Sequence, residues 1–286
     1  MIVTGLMFVA VTAIVKYLGD SVPAAQAAFL RYILGLVFLI PMMRPILAAR
    51  LTKRQLGLFT LRGVVHSLAV ILWFFAMTQI SIAEVTAMNY LAPVYVALGA
   101  AVFLGEKLAA RRILAVVVAL LGALLILRPG IREVSPGHIA MLVTAVLFAV
   151  GYLIAKLMAD EVSAPVVVGM LSITVTIGLA PFAWAVWVTP TAEQLFWLFI
   201  VACFATAGHY TMTLAFSAAP VTVTQPASFL QLVWATTLGW VVFGEAADVW
   251  VLSGGGIIIA AVSFIAWREA VAGRKSVTPP HIATKV

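Results

Sequence analysis

The sequence predicts an all-α integral membrane protein with ten transmembrane helices, arranged as two inverted five-helix repeats. Three observations lead to this prediction. Hydrophobic residues make up 64% of the 286 positions and charged residues only 9%, which is too little charge to cover a water-soluble domain of this size. Apolar stretches long enough to cross a bilayer recur along the whole chain. The second half of the chain also repeats features of the first half.

The apolar stretches are each about 17 to 24 residues long and are separated by short polar segments or by segments that contain proline or glycine. The predicted spans are residues 2–18, 24–43, 56–79, 83–105, 111–128, 137–158, 164–187, 194–217, 221–243 and 249–267. The connections between these spans are too short to hold a separate domain. We therefore assign residues 1–134 to the first repeat, residues 135–269 to the second, inverted repeat, and residues 270–286 to a cytoplasmic tail.

The fourth and ninth spans form the clearest related pair. The Gly-Glu pair at 105–106 recurs 139 positions later at 244–245, and each span carries a proline, Pro93 or Pro226, within its apolar run. Each half contains five spans, an odd number, so the second half must enter the membrane in the opposite orientation. Inverted repeats of this kind place a substrate site near the middle of the membrane and open it to alternate sides.

Basic residues predict the orientation of the chain in the membrane. At the ends of the spans, Lys and Arg lie mainly on the side that would face the cytoplasm if the N-terminus is inside, and the predicted outer side holds Lys16, Arg128 and Arg132. By the positive-inside rule both termini are expected to be cytoplasmic. The same rule accounts for the formal net charge of +7, so a lipid bilayer is expected around the protein and no nucleic-acid partner is expected.

The ends of the fourth helix in each half carry a shared motif, LGE at 104–106 and FGE at 243–245, and Arg31 lies in the segment FLRYILGLVFLI. With ten spans in two halves, the chain resembles the EamA-type transporters of the drug/metabolite transporter superfamily. It looks most similar to the bacterial YddG-type exporters of aromatic amino acids. The second half has Leu171 at the place of Arg31, so no symmetric pair of arginines is expected.

The resemblance implies a multi-pass protein of the bacterial inner membrane, either a monomer or a weak homodimer. It implies export of small metabolites, amino acids including aromatic ones, by alternating access through a central cavity. A carrier of anionic metabolites such as sugar phosphates is the main alternative, with Arg31 as its anchor. A membrane-embedded enzyme is a weaker alternative, because the acidic residues are scattered at helix ends rather than gathered near a nucleophile.

Polar and aromatic residues inside the spans are the candidate substrate contacts. A titratable group deep in a span is costly when it faces lipid, so it should face the protein interior or a wet cavity. The candidate substrate-binding residues are His66, Trp73, Asn89, Tyr90, Tyr95, Tyr152, His209, Gln225, Ser228, Gln231 and Trp234. Pro93 and Pro226 are the candidate hinges, because proline cannot donate the backbone hydrogen bond that continues a helix.

Several of these residues have a structural alternative. His66 either faces the cavity, where its titration would make transport depend on pH, or bonds to a carbonyl of a neighbouring helix. The amides of the fourth and ninth spans either line the cavity, which we favour, or join helices. For His209 we favour packing between helices. Lys16 and Arg31 either hold a substrate carboxylate or anchor helices.

Charged and capping residues at the span ends are interpreted as architecture. Ser81 and Glu84 have the spacing of a capping box at the start of the fourth span, and Thr222 with Gln225 has it at the ninth. Glu106 and Glu245 are expected to serve the next helix's N-terminus or to pair with a neighbouring base. No Asp or Glu lies deep in any span, which favours zwitterions, anions or neutral metabolites over organic cations. No cofactor and no metal ion is expected, because the four His and one Cys lack ligand spacing.

Overall fold

The computed structural model describes residues 2–104, 110–131, 133–159, 161–218 and 229–277. The regular structure in these ranges is helical. The α-helices are α1 (Ile2–Leu18), α2 (Ala24–Gly35), α3 (Met43–Ala48), α4 (Lys53–Gln79), α5 (Ile82–Asn89), α6 (Ala92–Leu104), α7 (Ala110–Leu127), α8 (Pro136–Ala159), α9 (Ala164–Ala185), α10 (Ala192–Ala218), α11 (Phe229–Phe243) and α12 (Val249–Val277). Short 3₁₀-helices at Gly19–Ser21 and Leu36–Met42 connect the first three of them.

Helices cover most of the described part of every predicted span. Seven helices among the described residues are long and apolar enough to cross a membrane, and Ile113–Leu127 and Leu230–Phe243 are shorter apolar helices. The prediction of an all-helical, multi-span architecture is therefore confirmed for the described ranges. The count of ten spans, the inverted repeats and the boundary at residue 134 stay predictions. The last helix continues to Val277, into the segment that we predicted as a tail.

The fourth predicted span consists of two helices rather than one. Helix α5 ends at Asn89 and α6 begins at Ala92, and the amide of Leu91 donates to the carbonyl oxygen of Met88 at 3.0 Å in a tighter turn. Pro93 has no N–H to donate back to residue 89, so the α-helical hydrogen bonding cannot continue through this point. The disturbance expected at Pro93 is thus a break in the helix. Pro226 and its surroundings lie outside the described residues.

The helices approach each other closely at glycines, which have no side chain to keep them apart. Gly122 on α7 faces Gly254 on α12, and a Cβ added to Gly122 would lie 2.8 Å from the Gly254 carbonyl oxygen. Gly63 on α4 meets Thr174 on α9 in the same way. Since small residues at such crossings let backbones pack tightly in a membrane, these contacts fix helix positions around the centre of the molecule.

Helix ends at one end of the molecule are joined by ion pairs. Lys16, in the last turn of α1, pairs with Glu245, which follows α11. Arg128 pairs with Asp248 between α7 and α12, and His138 lies 3.2 Å from Glu84 between α8 and α5. These contacts hold the ends of six helices together.

The Gly-Glu motif of the second half explains how Glu245 reaches its partners. Gly244 has a φ of +66°, a left-handed conformation that glycine adopts without strain. This turns the chain so that the amide of Glu245 donates to the carbonyl oxygen of Gly239 at 3.0 Å. The carboxylate then accepts from the amide of Ile82 at 3.0 Å. The structural role expected for Glu245 is confirmed, except that it caps α5 rather than the next helix in the chain.

The predicted capping box at Ser81 and Glu84 is confirmed at the start of α5. The second predicted box, Thr222 with Gln225, lies outside the described residues, as does Glu106. At the opposite end of the molecule Thr52 forms a capping box with Gln55. Arg54 and Gln55 also donate to Glu161, which lowers the pKa of that exposed carboxyl group.

Candidate functional site

A cavity of about 380 Å³ lies between α1, α2, α4, α5, α6, α8, α10 and α11. Its size falls within the range of roughly 300 to 1,000 Å³ that is typical of small-molecule sites. The lining residues are Thr4, Phe8, Thr12, Arg31, Tyr32, His66, Val70, Trp73, Val85, Thr86, Asn89, Tyr90, Ala92, Pro93, Phe148, Tyr152, His209, Met212 and Gln231. Helices from both halves of the chain therefore contribute side chains to the lining of the same cavity.

One side of the cavity is aromatic. The ring of Phe148 on α8 lies 6.1 Å from the ring of Trp73 on α4 and 6.1 Å from that of Tyr152, which it stacks against. Tyr152 keeps 42% of its surface exposed, although it lines the cavity. Phe148 stacks on Tyr152 at an interplanar angle of 29°, whereas Trp73 meets Phe148 edge-on at 75°. The three rings therefore form an apolar corner that can hold a planar side chain.

His66 connects this aromatic side to α2. Its Nε2 atom lies 3.0 Å from the hydroxyl oxygen of Tyr32, and its ring lies 5.0 Å from that of Phe148. The histidine is 8% exposed and lines the cavity. His66 therefore faces the cavity. Its hydrogen-bond partner is the hydroxyl of Tyr32, not the backbone carbonyl of a neighbouring helix.

Hydrogen-bonding groups line the cavity at the break between α5 and α6. Thr86, Asn89, Tyr90 and Pro93 all reach the wall there. The hydroxyl of Thr86 donates to the carbonyl oxygen of Ile82 at 2.8 Å, which leaves its oxygen lone pairs available as an acceptor. The break therefore brings an amide, two hydroxyls and a disturbed backbone to one place.

The second half contributes polar groups from α10 and α11. Gln231 lines the cavity and lies against α1. Its Cβ would be 3.1 Å from a Cβ added to Gly5. The ring of His209 makes an edge contact with Phe8 at 5.2 Å and also lines the cavity. His209 thus combines the helix packing that we favoured with a position in the wall.

Arg31 is the cationic side chain in the wall of the cavity. It is 8% exposed, and its guanidinium carbon lies 4.1 Å from the centre of the Tyr32 ring. Arg62, one turn before His66 on α4, is also buried, but it donates to the carbonyl oxygen of Val167 at 3.1 Å and does not line the cavity. Lys16 is engaged by Glu245 and by the carbonyl oxygen of Ile80. Of the two cations considered for a substrate carboxylate, Lys16 anchors helices and Arg31 faces the cavity.

Two predicted contacts lie away from this wall. Tyr95 packs against the hydrophobic core, and Trp234 is 37% exposed; neither is among the cavity-lining residues. Gln225 and Ser228 lie outside the described residues. His66, Trp73, Asn89, Tyr90, Tyr152, His209 and Gln231 are brought together in the wall.

Tyr32, Phe148 and residues of the first helix also line the cavity, although they were not among the predicted contacts. Thr4, Phe8 and Thr12 line the cavity at intervals of four residues, which is one helical face. Phe148 and Tyr152 have the same interval. This periodicity was the available signal, but aromatic and threonine residues at such spacing are equally common in a packed interior. Within the described ranges, no group of three or more His, Cys, Asp and Glu residues is placed to hold a metal ion.

Comparison with known proteins gives the family. The model of the EamA-like transporter family matches residues 1–128 and 135–267. The pseudopaline exporter CntI of Pseudomonas aeruginosa (strain UCBPP-PA14) is 26% identical over 257 residues, covering 89% of this chain and 90% of the relative. An S-adenosylmethionine uptake transporter of Rickettsia bellii is 29% identical, covering 92% and 90% of the two chains.

A third relative and a solved structure agree with these matches. A riboflavin transporter of Brucella anthropi is 26% identical, covering 86% of this chain and 88% of the relative. A crystal structure superposes with a TM-score of 0.62 at 18% identity and covers 97% and 98% of the two chains, which supports the fold. The three relatives' cargoes are not aromatic amino acids, so the narrower resemblance is not shown. The family match over nearly the whole chain shows that this protein belongs to the EamA-like transporter family and is a membrane transporter.

Proposed function

We propose that this chain is a bacterial inner-membrane carrier that exports small metabolites, amino acids including aromatic ones, by alternating access. The observation that carries the proposal is a single cavity that combines stacked rings with hydrogen-bonding groups. Trp73, Phe148 and Tyr152 offer apolar ring faces and edges to an aromatic side chain. Asn89 and Thr86 offer a carbonyl and a hydroxyl oxygen to the polar end of the same molecule.

The proposed movement uses the break between α5 and α6. Pro93 lies at this break and in the cavity wall, so a change of helix angle there would alter the cavity directly. Pro226 is the second proposed hinge, on the strength of its corresponding place in the sequence repeat. In the proposed orientation both termini are cytoplasmic, and the carrier works as a monomer or a weak homodimer.

The relatives support transport of small organic molecules but differ in direction. One is named as an exporter and another as an uptake transporter. Export by this chain is therefore part of the proposal. A second candidate, transport of anionic metabolites such as sugar phosphates, is favoured by the buried Arg31 in the cavity wall.

The test is a flux measurement on the purified chain in liposomes that are loaded with radiolabelled phenylalanine. We expect saturable movement of phenylalanine down its gradient, competition by tryptophan and tyrosine, and little competition by glucose 6-phosphate. A pH gradient applied in either direction shows whether protons drive the flux. Absence of amino-acid flux together with transport of glucose 6-phosphate would replace the first candidate with the second.

A pair of variants connects this flux to the cavity. Asn89→Ala removes an amide from the wall, and we expect its transport rate to fall at least about tenfold, since one lost hydrogen bond to a charged group is worth about 1.5 to 3 kcal/mol. Gln79→Ala removes an exposed amide at the end of α4 and should transport normally. Equal rates for the two variants would remove Asn89 from the substrate site.

A further inference from the structure

We propose that Arg31 binds the anionic group of the transported substrate, so that the cavity selects molecules that carry a carboxylate or a phosphate. This inference rests on the proposed function and deepens it, because it assigns the substrate's charge and the residue that reads it.

The flat face of the Arg31 guanidinium group packs over the ring of Tyr32. Its central carbon lies 4.1 Å from the centre of the Tyr32 ring, and Tyr32 is in turn held by its hydroxyl contact with His66 at 3.0 Å. A cation over an aromatic face is stabilised while its N–H groups remain in the plane of the guanidinium. Among the described residues no hydrogen-bond or ion-pair partner is assigned to those N–H groups, and the side chain lines the cavity.

The described wall around Arg31 supplies no compensating charge. Among the residues that the structure describes, those that line the cavity include no Asp or Glu. The described carboxylates that pair with Lys or Arg lie elsewhere: Glu245 with Lys16, Asp248 with Arg128 and Glu161 with Arg54. Glu84 lies next to His138. A cationic ligand would therefore meet repulsion from Arg31 and only dipoles in return.

A cation that is only 8% exposed inside a membrane protein is costly unless it has a partner or water. An incoming carboxylate or phosphate supplies that partner and bonds to two N–H groups at once, which is the strongest geometry available to arginine. The ammonium group of an amino acid would then be left to the oxygens of Asn89 and Thr86. The site is thus suited to zwitterions and anions, and it discriminates against amines that lack an acid.

The experiment compares two ligands that differ only in the carboxylate with a third ligand that carries a phosphate. Binding of phenylalanine, of phenylethylamine (the same molecule without its carboxylate) and of glucose 6-phosphate is measured by calorimetry on the full-length chain in nanodiscs. We expect phenylalanine to bind at least about tenfold more tightly than phenylethylamine, because a buried charge-assisted bond is lost without the carboxylate. In Arg31→Gln that preference should fall below about threefold.

Arg62→Gln is the matched control. Arg62 is a buried arginine on the neighbouring helix, but it bonds to the Val167 carbonyl and lies outside the cavity wall. If this variant loosens the fold, it should weaken both ligands alike and leave their ratio unchanged. Arg31→Lys retains the charge without the two parallel donors, so it should show an intermediate ratio.

The outcomes separate this inference from the proposed function. Equal binding of phenylalanine and phenylethylamine to the unaltered chain, or an unchanged ratio in Arg31→Gln, overturns the role of Arg31 and leaves amino-acid transport standing. Binding of glucose 6-phosphate alone, lost in Arg31→Gln, supports the anion site and overturns the amino-acid cargo. Binding of phenylethylamine alone, or of none of the three ligands, overturns both.

Discussion

At the residue scale, Trp73 shows how a cavity-lining ring can be tested separately from its polar atom. The indole nitrogen of Trp73 is buried and has no hydrogen-bond partner among the described residues, whereas the ring lies 6.1 Å from Phe148 in the cavity wall. An unpartnered buried N–H contributes nothing favourable to stability. The ring face is therefore the part of Trp73 that matters for the proposed stacking.

We predict that Trp73→Phe keeps the affinity for phenylalanine within about threefold, because an aromatic face remains and the lost N–H had no described partner. Trp73→Ala should weaken binding at least about tenfold, since it removes the ring and leaves a space beside Phe148. Calorimetric titration of both variants checks this. A large loss in Trp73→Phe would show instead that the indole N–H bonds to the substrate.

At the element scale, the end of α1 is joined to the region that follows α11 by a partly buried ion pair. Lys16 and Glu245 are 19% and 15% exposed, whereas the pair of Arg54 and Glu161 at the opposite end is 62% and 32% exposed. Lys16 also donates to the Ile80 carbonyl, and Glu245 accepts from the Ile82 amide. The first pair therefore joins the ends of four helices, while the second is a surface contact.

We predict a thermodynamic coupling of about 1 kcal/mol or more between Lys16→Met and Glu245→Gln, because each single change leaves the other charge with fewer partners. Denaturant unfolding in detergent of the two single variants and the double variant gives this value. The corresponding cycle on Arg54 and Glu161 should show no measurable coupling, as is usual for exposed pairs. Similar values from the two cycles would contradict the structural role assigned to Lys16.

The break beside Pro93 and the ion pair of Glu245 differ in how far the sequence could predict them. A proline inside an apolar run predicts a disturbed helix by local chemistry alone, and α5 does end beside Pro93. The partner of Glu245 could not be predicted in this way, because Lys16 lies at the other end of the chain and only the packing of α1 against α11 brings them together. Local rules predict helix ends, and long-range packing decides which ends meet.

The candidate site was predictable to the extent that polarity marks an interior face. His66, Asn89 and Gln231 were selected because polar groups avoid lipid, and all three line the cavity. Tyr95 and Trp234 were selected for their rings, and they lie elsewhere. A helix that is apolar all round gives no preferred face, so the sequence alone could not say which of its rings point inward.

At the scale of the whole molecule, two ends of the helix bundle are predicted to face different sides of the membrane. We call the end with the pairs Lys16–Glu245 and Arg128–Asp248 the ion-paired end. Ile131 follows α7 near the ion-paired end and is 83% exposed, and Leu47 in α3 is 76% exposed at the other end. The distribution of Lys and Arg predicts that the end that carries Leu47 faces the cytoplasm. The two positions therefore report orientation from well-exposed sites outside the cavity.

We predict that Ile131→Cys is labelled by a membrane-impermeant maleimide in intact cells, whereas Leu47→Cys is labelled only after the membrane is opened. Both changes are made in a Cys203→Ala background, because Cys203 is the single native cysteine and would otherwise add its own signal. Leu47→Cys must react fully in opened membranes, which shows that it is accessible and that its protection in cells comes from the bilayer. Labelling of Leu47→Cys but not Ile131→Cys in intact cells would invert the proposed orientation and place both termini outside the cytoplasm.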